Sequence, residues 1–270
     1  MLTLRLFGPP DVRVNGEPMG RLRTRKGLWL LALLALRPGR EVERAHLAGV
    51  LWPETEESQA LTYLRQSLTD LRRALGPEAA QRLRSPSART LTLDITGADA
   101  DVALFDACIR RGDPESLERA AALYRGPLLE GCAEEWVLQE REARQQAYLG
   151  ALEALAAAAL AAGDAPAAAR RLRLVLSADP MRESACRALM EALAATGDYA
   201  AVTQAFRDLR LRLRQEINSE PGGETQALFD RLRADARRRA AGSPSAEAGA
   251  AEAAAARVPP PPPSPPPLPR

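Results

Sequence analysis

The sequence predicts a mainly helical protein with a small α+β domain first, an all-α domain second and a disordered Pro-rich tail last. Three observations support this order: short alternating segments occupy residues 2–20, leucine and alanine at helical spacing fill most of residues 25–239, and residues 259–269 are almost all proline. Alanine, leucine and arginine favour helix because they lose little side-chain freedom in it. A Pro-rich segment cannot bury a core, so it is expected to stay extended or disordered. The predicted domains are residues 1–96, 97–239 and 240–270.

The first predicted domain begins with short antiparallel strands. Leu2, Leu4 and Leu6 alternate with other residues, and the Asn15-Gly16 pair is typical of a hairpin turn. Alternation of this kind places one row of side chains on the buried face of a small sheet.

Three helices and a second hairpin follow these strands. Helices are predicted over about residues 25–36, 44–51 and 55–75, because apolar residues recur there at helical spacing and Pro or Gly follows each segment. Residues 83–93 indicate a hairpin. Strands, three helices and a hairpin in this order describe a winged helix-turn-helix, in which the third helix enters the DNA major groove and the hairpin contacts phosphates.

The third helix carries the clearest pattern in the chain. Its leucines are spaced by three and four residues and therefore form one apolar stripe, which consists of Leu61, Leu64, Leu68, Leu71 and Leu75. The opposite face holds side chains whose donors suit base edges and phosphate oxygens. An ordinary solvated helix face is the competing interpretation, but this face lacks the Glu/Lys mixture typical of one. The candidate DNA-contacting residues are Gln59, Thr62, Tyr63, Arg65, Gln66, Thr69, Arg72 and Arg73 on the helix, with Arg84 and Arg89 in the hairpin.

The charge distribution favours the same end of the molecule. Residues 1–94 hold 15 Lys+Arg and 10 Asp+Glu, whereas residues 95–238 hold 19 and 23. Because a basic domain attracts polyanions, the expected nucleic-acid contact lies in the first domain.

A recurring turn characterises the second predicted domain. Gly163-Asp164 and Gly197-Asp198 lie 34 residues apart, each between Ala-rich or Leu-rich helices, and Pro180 separates the two helix pairs. A period of 34 residues is that of tetratricopeptide repeats, so the sequence predicts a TPR-like helical array.

The residue inventory argues against an enzyme. His46 is the only histidine and Lys26 the only lysine, so a Ser–His triad or a P-loop has little to draw on. Cys108, Cys132 and Cys186 form no CxxC pair and are expected to be reduced, buried thiols. No metal and no cofactor is therefore expected. The chain has neither a long apolar run nor a signal-peptide layout, so no membrane contact and a cytoplasmic location are expected.

Several motifs resemble those of a known family of regulators. Leu6-Phe7-Gly8, Leu51-Trp52-Pro53 and the segment Leu71-Arg72-Arg73-Ala74-Leu75-Gly76 resemble the OmpR-type DNA-binding domain of SARP-type bacterial activators. Residues 124–129, Asp179-Pro180-Met181-Arg182-Glu183 and Glu220-Pro221 resemble the bacterial transcriptional activation domain that follows it. The resemblance covers about residues 2–238 in the family's own domain order.

This resemblance implies partners and a mode of action. It implies a winged-helix domain that binds promoter repeats in double-stranded DNA, and a TPR-like domain that helps to form a homodimer on DNA and contacts RNA polymerase. It implies no enzymatic activity in these two domains. The hairpin here reads Arg84-Ser85-Pro86-Ser87-Ala88-Arg89 and departs from the Gly-Gly-Tyr tip common in the family. The alternative function is a TPR-type protein–protein scaffold whose winged helix no longer binds DNA.

Overall fold

The structure is a computed structural model that describes residues 1–241. The predicted Pro-rich tail lies outside the described residues, apart from its first two positions. The described chain is mainly helical, as the sequence predicts. Its helices are α1 (Arg25–Ala35), α2 (Arg44–Leu51), α3 (Glu57–Ala80), α4 (Asp101–Arg111), α5 (Pro114–Leu123), α6 (Glu135–Ala161), α7 (Ala165–Ala178), α8 (Glu183–Ala195), α9 (Tyr199–Ile217) and α10 (Gly223–Ala241).

Two small sheets belong to the N-terminal part. The strands are β1 (Leu2–Arg5), β2 (Asp11–Val14), β3 (Glu17–Pro18), β4 (Val42–Glu43), β5 (Leu83–Arg84), β6 (Thr90–Leu93) and β7 (Asp99–Ala100). One sheet has the order β3-β2-β1-β7, with β1 antiparallel to β2 and parallel to β7. The other has the order β4-β6-β5, and the β5–β6 hairpin pairs Leu83 with Leu93. The predicted winged helix-turn-helix order of strands, three helices and hairpin is confirmed.

The helices of the N-terminal part pack through their leucines. Leu30, Leu31 and Leu34 of α1 are fully buried, and α3 packs against α1 and α2 through Leu64 and Leu71, which are also fully buried. The helix α3 breaks at Gly76, which has φ 74°. Glycine adopts this left-handed conformation without a Cβ clash, and Pro77 removes a backbone donor, so Gly76-Pro77 ends the regular helix as predicted.

A buried carboxylate ties the first strand to the start of α4. Asp101 has no solvent exposure and accepts hydrogen bonds from the backbone N–H groups of Leu6 (2.9 Å) and Phe7 (3.1 Å). Burial raises the pKa of this carboxyl, although the backbone donors oppose the rise. Nearby, Arg5 donates to Asp99 at 2.8 Å. The first compact unit accordingly continues to residue 158, and the domain boundary placed after residue 96 stays a prediction.

The second compact unit begins at residue 159 and shows why the Gly-Asp pair recurs. Gly163 and Gly197 have φ of 81° and 80°, which ends the preceding helix in the left-handed conformation. Asp164 and Asp198 then accept the N–H groups of Ala167 and Ala201, both at 3.0 Å, and so cap α7 and α9. Each pair is therefore a complete turn between two helices.

All three cysteines are buried and free, as expected. Within residues 1–241, no helix combines the length and the apolar character that crossing a bilayer requires.

Candidate nucleic-acid interface

The exposed side of α3 presents most of the candidate residues to solvent. The leucine stripe faces the core, so the helix has only one free side. Exposed positions on it are Gln59, Arg65, Gln66, Thr69 and Arg73, and half-buried ones are Thr62, Tyr63 and Arg72.

Two of these side chains also bond to their own helix. The hydroxyls of Thr62 and Thr69 donate to the carbonyl oxygens of Ser58 (3.1 Å) and Arg65 (2.9 Å), which leaves oxygen lone pairs for a ligand. The ring of Tyr63 lies 6.0 Å from that of Trp52, so it contributes to packing as well as to the surface.

Arg44 and Arg72 hold the base of the β5–β6 hairpin. Nη2 of Arg44 and Nη2 of Arg72 both donate to Oγ of Ser85, at 2.9 and 3.3 Å, and Arg72 also donates to the carbonyl of Leu83 at 3.2 Å. The first residue of α2, the middle of α3 and the hairpin therefore meet at one serine.

A groove of about 640 Å³ opens beside this junction. Arg44, Arg65 and Arg89 line it together with Glu43 and Glu57. Neither carboxylate lies within ion-pair distance of an arginine, and none of the carboxylates in residues 1–241 pairs with Arg44, Arg65, Arg72 or Arg89. We call these four residues the arginine cluster.

The arginine cluster has an unfavourable electrostatic environment. Burial and the neighbouring charges of Arg72 and Arg65 lower the pKa of Arg44. Its Nε atom is buried and has no hydrogen-bond partner within the described residues. An unpaired buried donor costs about 1–3 kcal/mol. An anion placed in the groove would offset the repulsion between the arginines.

A second group of charges consists of Asp70 and Arg73 on α3 and Arg23 before α1, and in this group the carboxylate balances the arginines. Asp70 accepts the backbone N–H of Arg23 at 2.7 Å and lies 2.5 Å from Nη2 of Arg73. The hydrogen bond from the Arg23 backbone is the main reason that the pKa of Asp70 lies below its usual value, and the contact with Arg73 lowers it further. Gln66, Thr69 and Arg73 line a shallow cavity of about 300 Å³ with these residues. Arg73 thus reaches the surface already paired.

The hairpin presents its two candidate arginines differently. Arg84 is paired with Asp94 at 2.9 Å, whereas Arg89 is exposed beside a turn in which Oγ of Ser87 accepts the N–H groups of Arg89 and Thr90. Of the two, only Arg89 joins the arginine cluster.

Sequence reasoning missed two residues of this surface. Arg44 appeared only as the start of a helix, and its role depends on Ser85, 41 positions away, so no local pattern could find it. Asp70 could have been found, because a carboxylate three residues before Arg73 on one helix face is a favourable ion-pair spacing.

Comparison with known proteins shows the family of the chain. The family model for the bacterial transcriptional activator domain matches residues 93–233. Transcriptional regulator RedD of Streptomyces coelicolor is 28% identical over 86% of this chain and 69% of its own length. Regulatory protein AfsR of Streptomyces griseus is also 28% identical over 86% of this chain, but the match spans only 24% of that longer protein.

A solved structure supports the fold. EmbR of Mycobacterium tuberculosis, solved in complex with a low-affinity phosphopeptide, has 24% sequence identity and a TM-score of 0.70 over 87% of this chain and 65% of its own. The resemblance to SARP-type activators inferred from the sequence is confirmed by the family match and by these relatives, and the family is one of transcriptional regulators.

Proposed function

Because the chain belongs to the bacterial transcriptional activator domain family, we propose that it regulates transcription by binding specific sites in double-stranded DNA through α3 and the β5–β6 hairpin. In this proposal α3 enters the major groove, Gln66 and its neighbours contact base edges, and the arginine cluster contacts the phosphate backbone. We further propose that the protein is an activator that binds promoter repeats as a dimer, contacts RNA polymerase and acts in the bacterial cytoplasm.

The observation that carries this proposal is the arginine cluster. Four arginines converge where α3 meets the hairpin, and none of them has a carboxylate partner within residues 1–241. A protein whose only need was a stable fold would gain from a carboxylate or an apolar residue at this place. A phosphate backbone supplies the missing negative charge.

Salt titration of DNA binding tests the proposal. The affinity of the full chain for a duplex selected from random sequence should fall steeply with salt, because each neutralised phosphate releases counterions. Arg65→Gln with Arg89→Gln should reduce the slope of log K against log salt by about two, because each lost phosphate contact removes roughly one unit. Both side chains are exposed, so the variant should melt like the wild type.

The matched control removes two exposed arginines elsewhere in the same unit. Arg110 of α4 and Arg119 of α5 lie outside the candidate interface, and their double change to Gln alters the net charge equally. Its slope should stay near that of the wild type. A wild-type affinity that does not depend on salt, or equal effects of the two variants, would instead favour the scaffold function.

A further inference from the structure

A second groove lies far along the chain from the candidate DNA interface, within the second compact unit. It has a volume of about 1050 Å³ and runs between α7 and α9 over α8. Its lining is mixed: leucines come from all three helices, and polar side chains such as Gln204 and Gln215 lie among them. The leucines are Leu176, Leu189, Leu193, Leu209 and Leu211. Leu211 is 55% exposed, although the other four are buried or half-buried. Leu211 and the half-buried Leu176 are therefore the leucines whose side chains an apolar ligand could contact.

The helices on either side of this groove are basic. The helix α7 contains three arginines and no acidic residue, and α9 contains four arginines against Asp208 and Glu216. Arg173 of α7 and Arg212 of α9 line the groove from opposite sides, and neither has an ion-pair partner within residues 1–241. Among residues 1–241, Asp208 supplies the one carboxylate that lines the groove, and it accepts a hydrogen bond from the Gln204 amide at 2.7 Å.

We propose that this groove binds an acidic amphipathic helix of a partner protein. Apolar side chains of that helix contact Leu176 and Leu211, and its carboxylates pair with Arg173 and Arg212 on the two sides. The helix α7 is 14 residues long, or about 21 Å at the α-helical rise, so it offers room for three to four turns of a bound helix. Recognition of one helix face by an apolar groove is a common mode of peptide binding.

The chemistry of the groove favours a protein over a nucleic acid. Protein–nucleic-acid interfaces are more polar than protein–protein interfaces, whereas the exposed side chain of Leu211 is removed from water favourably only by an apolar ligand. The proposal goes beyond DNA binding and does not depend on it, because it concerns only residues of the second unit.

Fluorescence anisotropy with a designed peptide tests the proposal. The probe is a labelled peptide of about 16 residues, with leucine at positions i, i+4, i+7 and i+11 and glutamate and alanine elsewhere, so that it can form an amphipathic helix. Two control peptides replace its glutamates by lysine or its leucines by serine. The full-length protein should bind the acidic peptide and neither control.

Variants of the protein place the peptide in the groove. Arg173→Glu with Arg212→Glu should weaken binding by about tenfold or more, because it replaces two attractions by two repulsions. Leu211→Ser should weaken it as well, and its exposed position should leave the melting temperature unchanged. The matched control is Arg233→Glu with Arg237→Glu on α10, which changes the same charge outside the groove and should bind normally.

Four outcomes would overturn the proposal. The first is no binding of the acidic peptide, or equal binding by the lysine control. The second is displacement of the peptide by duplex DNA in a manner that requires Arg173 and Arg212, which would assign the groove to nucleic acid. The third is a tenfold gain in peptide affinity on removing residues 242–270, which would assign it to the chain's own tail. The last is a dimer that Leu211→Ser dissociates, which would make a second copy the occupant.

Discussion

The exposed surface around α3 contains two groups of arginines with opposite electrostatic surroundings. Arg44, Arg65, Arg72 and Arg89 meet beside the hairpin without a carboxylate partner in the described residues, whereas Asp70 of α3 pairs with Arg73 of the same helix and with Arg23, which precedes α1. Arginine alone therefore does not identify a phosphate contact. What distinguishes the two groups is whether a carboxylate already balances the charge, because only an unbalanced guanidinium gains from a new anion.

Gln66 lies on the exposed face and should give the largest effect on a specific site. Gln66→Ala should cost about 1–3 kcal/mol on a duplex selected by the wild-type protein, since a lost base contact is of this size. Random duplexes should lose little, because their affinity comes from backbone charge. Melting should not change, since the side chain is exposed. Binding curves on both duplexes provide the check, and equal losses on the two would remove Gln66 from base recognition.

Replacing Arg44 should weaken binding to all DNA sequences alike. Arg44→Gln should lower the salt slope by about one unit on selected and random duplexes, because one phosphate contact is lost. Thermal stability should stay the same or rise, since the change relieves the repulsion from Arg72 and Arg65. Salt titrations and melting curves measure the two effects together. A large fall in stability would mean that the bond from Arg44 to Ser85 serves the fold more than the ligand.

Replacing Asp70 should change DNA affinity in the opposite direction to replacing Arg44. Asp70→Asn should strengthen binding to any duplex and steepen the salt slope by up to about one unit, because Arg73 and Arg23 lose their carboxylate partner. Unchanged or weaker binding would show that Asp70 does not limit the attraction of Arg73 and Arg23 to phosphate.

The Asp70→Asn variant should be less stable than the wild type by an amount that depends on pH. The pKa of Asp70 is lower in the folded protein than in the unfolded chain, so its stabilising effect is present above the unfolded value and is lost as the pH falls through the folded one. Melting curves should therefore differ between wild type and Asp70→Asn at pH 7, and the difference should shrink below about pH 4. A difference independent of pH would exclude charge as its cause.

Arg73 should give the smallest effect of the four. The sequence suggests a phosphate clamp at this position, but Asp70 already pairs with it. Arg73→Ala should therefore reduce the salt slope by clearly less than the roughly one unit expected for Arg44→Gln. Salt titrations of the two variants on one duplex make the comparison. An equal reduction of the salt slope would show that pairing with Asp70 does not weaken the contact of Arg73 with phosphate.

Much of the fold could be predicted from local patterns. The leucine stripe of α3, its end at Gly76-Pro77 and the hairpin after it follow from residue spacing and turn chemistry, and the structure contains all of them. The candidate site was predictable only in part. The exposed face of α3 follows from the stripe, but the arginine cluster brings together residues from α2, α3 and the hairpin that are far apart in the chain.

Local sequence patterns specify the order of helices and strands and the recurrence of the Gly-Asp turns. These features depend on interactions between residues a few positions apart, such as the N-cap bonds of Asp164 and Asp198. Which arginines remain unbalanced, and the bonds by which Asp101 links the residues after β1 to α4, depend on the tertiary structure. Charge balance and burial depend on distance in space, and a linear sequence does not specify that distance until the chain has folded.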